Sequence, residues 1–138
     1  MSGGAIEQFV RGVLGCSCPE AVFRSVTLED NPPAFSGLLP ARLLRIGGRL
    51  LVLLVEPREQ DVPALPLQQL VTRARQLREA EGCNRVRLVV AAPSSMHALL
   101  TEAFTGLGGL DERLHLHVVT PGQLPPALVS PQLHGMQQ

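Results

Sequence analysis

The sequence has 138 residues and no net charge, because 12 arginines balance 12 acidic side chains. This length predicts one domain, and a net charge of zero removes the bulk field that recruits nucleic acid or anionic membranes. The chain has no lysine, tyrosine or tryptophan and only four phenylalanines. It therefore lacks the groups for Schiff-base catalysis, tyrosine acid–base chemistry and a base-stacking platform.

The N-terminus shows no basic segment followed by an apolar one, and the three cysteines are an odd number. We therefore expect a cytoplasmic protein whose thiols are mostly reduced, with no membrane partner and no nucleic acid. The exclusive use of arginine is typical of a GC-rich, bacterial genome.

The first elements are short. Apolar residues recur at helical spacing over residues 5–14, and Gly15 follows where a left-handed C-cap belongs. Pro19 suits the first turn of a second short helix, which places Ser17 or Cys18 near its N-cap. Residues 23–29 alternate as a strand does, and the prolines of residues 31–37 predict a loop.

The clearest stretch is a hairpin over residues 42–56. Its two apolar arms flank Gly47-Gly48, a pair that accepts positive φ at both central turn positions. The second arm, residues 50–55, is apolar on both faces, which is typical of a central strand that is covered on both sides. It is too short to span a bilayer.

The remaining elements alternate. A helical stripe (Leu67, Leu70, Val71, Ala74 and Leu77) ends at Gly82, and a strand follows at residues 85–91. A second helix opens at Pro93-Ser-Ser-Met, with a stripe of Met96, Leu99, Leu100, Ala103 and Phe104, and the last strand covers residues 113–119.

The two crossovers, strand–helix–strand–helix–strand from the second arm of the hairpin onward, imply a parallel core. The sequence thus predicts an α/β (α+β) domain over residues 1–125, in which a mixed, partly parallel sheet of four to five strands has an N-terminal hairpin region and two or three packed helices. Residues 126–138 are expected to be a disordered tail.

The sharpest chemical signal is the motif Cys16-Ser17-Cys18-Pro19. A thiol at a helix N-terminus has a lowered pKa and is favoured as thiolate. The pair could cycle as a strained disulfide or supply two ligands to a soft metal. The alternative is that one or both cysteines are small apolar packing residues.

His115 and His117 lie on one face of the last strand, about 6.6 Å apart along the chain, so they could converge on one metal ion. Arg85 and Arg87 show the same alternation in the previous strand. Polar alternation in both strands more simply indicates a solvated face or a sheet edge. A metal ion is the only cofactor that the sequence suggests.

A ligand of an open α/β sheet binds beyond the carboxyl ends of its parallel strands. Ser94 and Ser95 begin a helix there and could hold a carboxylate or phosphate, although ordinary N-capping is the competing interpretation. The other candidates at these strand ends are Glu56, Arg58 and His97.

The order of elements, with a strand that ends in Glu56-Pro57-Arg58, resembles restriction-endonuclease-like nuclease cores. That resemblance implies a metal bound by a hairpin Asp and by the Glu of a Glu-x-Lys pattern. Here Arg58 replaces the lysine, and no acidic residue occurs between Asp30 and Glu56, so the two-carboxylate metal site is incomplete.

We therefore expect an α/β domain that acts by binding rather than by catalysis, through self-association as a homodimer or homo-oligomer or through docking to a partner protein. An exposed patch formed by some of the leucines that lie in or beside loops would mark the interface: Leu38, Leu39, Leu43, Leu107 and Leu110. The alternatives are a thiol-redox or metal-binding protein and a binder of small anions or metabolites.

Overall fold

The computed structural model describes residues 2–108 and 110–128. They form one five-stranded sheet in the order β1-β2-β3-β4-β5, with the strands Val26–Asp30, Ala41–Ile46, Leu50–Val55, Arg85–Ala91 and Leu114–Val119. β1, β2 and β3 pair antiparallel, whereas β3, β4 and β5 pair parallel. The mixed, partly parallel sheet that the sequence predicts is confirmed.

Three helices pack on the sheet: α1 (Ser2–Gln8), α2 (Leu67–Glu81) and α3 (His97–Thr105). α1 continues as a π-helical turn, Phe9–Val13. The shorter 3-10 turns are Glu20–Arg24, Pro33–Phe35, Glu59–Ala64, Ser94–Met96, Pro121–Gln123 and Pro126–Leu128. Among the described residues, no helix is both long and apolar enough to cross a membrane.

The sheet separates two apolar clusters. On one side, called the α2/α3 face, Leu53 and Leu88 pack with α2 residues such as Leu70 and with Leu100 of α3. Both crossover helices lie on this face because successive right-handed crossovers that advance in one direction return over the same side. On the other side, called the α1 face, Val10 is among the residues that cover the sheet.

β3 is the enclosed central strand. All six of its side chains are buried, and they alternate between the two clusters. Gly47 and Gly48 have φ values of +61° and +67° and form the predicted turn between β2 and β3. Gly82 likewise ends α2 in the left-handed conformation, at φ +68°.

Several boundaries differ from the sequence prediction. β1 begins at Val26 rather than residue 23, because residues 20–24 form a 3-10 turn. α3 begins only at His97, because Ser94–Met96 form another 3-10 turn, and its predicted apolar stripe is wrong at Leu99, which is 45% exposed. Leu128, inside the predicted tail, is buried on the α1 face. The rest of that tail, residues 129–138, lies outside the described residues.

Candidate functional site

Cys16 and Cys18 form a disulfide, with their Cα atoms 5.4 Å apart. Cys16 is 7% exposed and belongs to the apolar cluster of the α1 face, whereas Cys18 is half-buried at the rim of that cluster. Ser17 between them is exposed. The two sulfur atoms therefore differ in environment: one faces the core and the other lies near the surface.

The backbone around Cys16 is fixed by contacts that do not involve sulfur. The Cys16 amide donates to the carbonyl of Val10 (3.1 Å), and Gly15 turns the chain at φ +74°. The Arg87 guanidinium donates to the carbonyl of Leu14 at 2.8 Å. This places a cation at the C-terminal end of the N-terminal helix, where its exposed carbonyls carry partial negative charge.

The expected helix-dipole effect on these thiols is wrong. The segment after Cys18 is a 3-10 turn of five residues, Glu20–Arg24, whose N-cap is Pro19 and which has no side-chain capping bond. So short a turn has no appreciable macrodipole.

A second cluster, formed by two arginines of β4 and two histidines of β5, is joined to the N-terminal segment by the contact between Arg87 and the carbonyl of Leu14. Nε2 of His115 lies 3.1 Å from Nη1 of Arg85, and Nε2 of His117 lies 2.9 Å from Nη1 of Arg87. An arginine nitrogen is always a donor, so each imidazole accepts through Nε2 and carries its proton on Nδ1. Burial and the neighbouring guanidinium lower the pKa of His117 to about 4.

The same contacts bear on the metal hypothesis for His115 and His117. The lone pairs that would bind a metal accept hydrogen bonds from two guanidinium groups, whose charge repels a cation. Among residues 2–108 and 110–128, no group of three or more His, Cys, Asp or Glu side chains could hold a metal ion. The metal site stays a prediction, and this geometry argues against it.

Arg87, like Arg78, is an arginine whose burial the sequence did not reveal. It is 7% exposed, and burial and the charge of Arg85 lower its pKa. Its alternation with Arg85 indicated a solvated face, and Arg85 is indeed exposed. Arg87 is buried instead because the C-terminal turn of the N-terminal helix covers it.

The candidates at the strand ends have mainly local contacts. His97 Nε2 donates to the carbonyl of Ala92 at 2.9 Å, and the exposed Arg58 pairs with Asp61 at 3.4 Å. Ser94 and Ser95 are exposed, and the turn that they begin has no side-chain cap. Glu56, at the end of β3, is half-buried. The anion site at these residues stays a prediction.

The predicted leucine patch is largely wrong. Leu43 is 1% exposed and lies in the core on β2, and three others are half-buried against that core: Leu38, Leu39 and Leu107. Leu110 alone of the five is exposed. Local sequence could not separate these cases, because the burial of each leucine depends on which distant parts of the chain pack over it.

β5 provides an exposed feature that the leucine hypothesis missed. It is an edge strand, and no other strand among the described residues pairs with its outer side. Its sequence Leu-His-Leu-His-Val-Val contains no Asp, Glu, Lys or Arg, and residues 115–118 are half-exposed. The uncharged sequence and the position of β5 as the last strand were visible signals for this edge.

No family model, curated protein or solved structure matches the chain.

Proposed function

We propose that this chain is a binding domain that works by self-association, with the β5 edges of two copies joined into one continuous sheet. The observation that carries the proposal is the edge of β5, which is uncharged and is paired with no further strand among the described residues. Unpaired N–H and C=O groups on an edge strand are a template for another strand, and proteins usually guard them with charge, proline or a covering segment.

The outward backbone groups of β5 follow from its pairing with β4. Val86 N donates to the carbonyl of Arg113, and Ala92 N donates to that of Val119. The odd-numbered residues of β5 therefore bond to β4, and the even-numbered residues point their backbone groups outward. The amide of Leu114 donates to Asp111. The outward N–H groups of Leu116 and Val118 are thus the ones that would donate hydrogen bonds to the carbonyl oxygens of a new strand.

A second copy is the occupant that this edge suits best, because β5 is complementary to itself. A twofold axis at Leu116 would pair Leu116 with its own copy and Leu114 with Val118, so that apolar side chains meet. It would also place His115 opposite His117. The pKa values of both histidines are lowered by burial first and then by Arg87, so both are neutral at pH 7. A net charge of zero adds no long-range repulsion.

The other edge of the sheet is protected. β1 carries Glu29 and Asp30, which form ion pairs with Arg45 (2.7 Å) and Arg42 (2.6 Å). Charged side chains on an edge strand disfavour pairing with another copy. The contrast between the two edges supports β5 as the proposed interface, and the proposal therefore predicts a closed dimer rather than an extended fibre.

Matched proline substitutions on the two edges test this assignment. The odd-numbered residues of β1 bond to β2, since Asn31 N donates to Ala41 and Gly47 N donates to Ser25. Leu28, like Val118, therefore points its N–H away from the sheet. Val118→Pro and Leu28→Pro each remove one outward donor and leave the existing ladder intact.

Sedimentation of the full chain over a concentration series is the measurement. We expect a reversible dimer that Val118→Pro weakens by about 30-fold, because two intermolecular hydrogen bonds of about 1 kcal/mol each are lost. Leu28→Pro should leave the dimer unchanged. A monomer at every concentration, or equal weakening by both substitutions in folded protein, would refute the proposal.

A further inference from the structure

We propose that Cys16 and Cys18 are a reversible redox pair that exchanges with external dithiols or small thiols through the sulfur of Cys18. The proposal goes beyond self-association and depends on residues outside β5.

Reversibility requires a chain that stays folded in both redox states, and the local contacts meet that requirement. Cys16 is anchored by its amide bond to Val10 (3.1 Å), and Leu14 is anchored by Arg87 (2.8 Å). Opening the disulfide leaves these bonds in place. A disulfide also stabilises a fold chiefly by closing a loop in the unfolded chain, and this contribution grows with loop length. A disulfide between two cysteines that are one residue apart closes almost no loop, so it is poorly suited to a structural role.

Access is asymmetric between the two sulfur atoms. Cys18 is half-buried and has exposed residues on both sides, Ser17 and Pro19. Cys16 is buried among apolar side chains that include Phe9 and Val10. Exchange depends on which sulfur an incoming thiolate reaches. The accessible sulfur is that of Cys18, and that of Cys16 is the leaving group.

The exchange step balances with a dithiol as reductant. Its thiolate attacks Sγ of Cys18; the bond between the two cysteine sulfurs breaks, and its electron pair leaves on Sγ of Cys16, which takes a proton from solvent. The second thiol of the reductant, after losing its proton, attacks its own partner sulfur in the mixed disulfide. Cys18 is released and protonated. Two electrons and two protons reach the cysteine pair, and the dithiol becomes a disulfide.

Cys83 is a control within the same chain. It is a free, buried cysteine whose Sγ lies 3.7 Å from the carbonyl of Gly48, and burial raises its pKa. It should react with neither glutathione nor alkylating reagents while the protein is folded.

The test uses the full chain, with Cys83 present as the control and in parallel with Cys83→Ala, treated with reduced and oxidised glutathione in native buffer and analysed by intact mass. We expect complete, reversible interconversion of the dithiol and disulfide, with an unchanged far-UV circular dichroism spectrum. A pair that is reduced only in denaturant, or that unfolds the chain when reduced, overturns the proposal.

Single substitutions then test the asymmetry. With oxidised glutathione, Cys16→Ser leaves the accessible sulfur of Cys18 and should form a mixed disulfide about tenfold or more faster than Cys18→Ser. Equal rates in folded protein overturn the assignment of Cys18. If either variant fails to fold, the measurement is the site of the first glutathione adduct on the Cys83→Ala chain. An adduct on Cys18 supports the assignment, and one on Cys16 refutes it.

Discussion

The hairpin turn gives the sharpest stability prediction, because its two glycines have similar dihedral angles but different surroundings. An ideal Cβ on Gly47 would lie 2.6 Å from Cβ of Val22 and 2.8 Å from its Cα and carbonyl oxygen. An ideal Cβ on Gly48 would meet nothing within 4 Å. Both residues have positive φ, so alanine at either position costs about 1–2 kcal/mol for the left-handed backbone alone.

Gly47→Ala must add the cost of moving Val22. Two of the three contacts are with backbone atoms, which no rotamer change can relieve, and overpacking of this kind costs about 1–3 kcal/mol. Gly47→Ala should therefore destabilise the fold by about 2–5 kcal/mol, against about 1–2 kcal/mol for Gly48→Ala.

Urea denaturation followed by circular dichroism would measure the two variants under identical conditions. Equal losses in the two variants would show that the turn does not pack against Val22. That result would refute the placement of the 3-10 turn Glu20–Arg24 over the hairpin.

Three further predictions concern charge and the central strand. Val52→Asp should cost several kcal/mol, seen as loss of a cooperative melt, because it buries an unpaired charge in β3. Asp111→Asn should lower the free energy of unfolding in urea by about 2 kcal/mol, because the buried Arg78 loses a carboxylate that accepts two hydrogen bonds, at 2.9 and 2.8 Å. This value already includes a reduction for the partial exposure of the carboxylate. Arg78 lowers the pKa of Asp111 from 3.8 to about 2, so this contribution is present above about pH 4 and is lost between pH 4 and pH 2. Burial lowers the pKa of His117 from 6.5 to about 4. As the pH drops below 6.5, this histidine is therefore protonated in the unfolded chain but not in the folded one, and the free energy of unfolding falls. Between pH 7.5 and pH 5 the loss due to His117 should be about 2 kcal/mol, and His117→Gln should remove that part and leave the contribution of His115, whose pKa burial also lowers. An unchanged pH dependence in that variant would contradict the burial of a neutral His117 beside Arg87.

The sequence predicted those elements whose signals are local. Gly47-Gly48 set the hairpin, and an unbroken apolar run made β3 the covered central strand, because both properties lie within a few neighbouring residues. α2 and β4 were equally clear from their periodicity and from Gly82.

The parts that the sequence did not predict depend on distant partners. Arg87 is buried because it binds the carbonyl of Leu14, 73 positions away in the chain. Leu43 is buried because it lies in the apolar cluster of the α2/α3 face, together with distant residues such as Phe35 and Leu70. A periodic pattern shows which residues share a face, but it does not show what covers that face.

The candidate sites divide in the same way. The alternation of His115 and His117 with Arg85 and Arg87 was visible, but their diagonal pairing across β4 and β5 depends on strand register. The nearness of Cys16 and Cys18 is local and was visible in the motif. Their unequal burial depends on how the N-terminal helix docks on the sheet.

Amide hydrogen exchange at different protein concentrations tests the open β5 edge most directly. The N–H groups of Leu116 and Val118 should exchange slowly in concentrated solution and rapidly on dilution, while that of His117, which bonds to β4, stays protected throughout. If the Leu116 and Val118 amides exchange at the same rate at all concentrations, β5 does not join two copies of this chain.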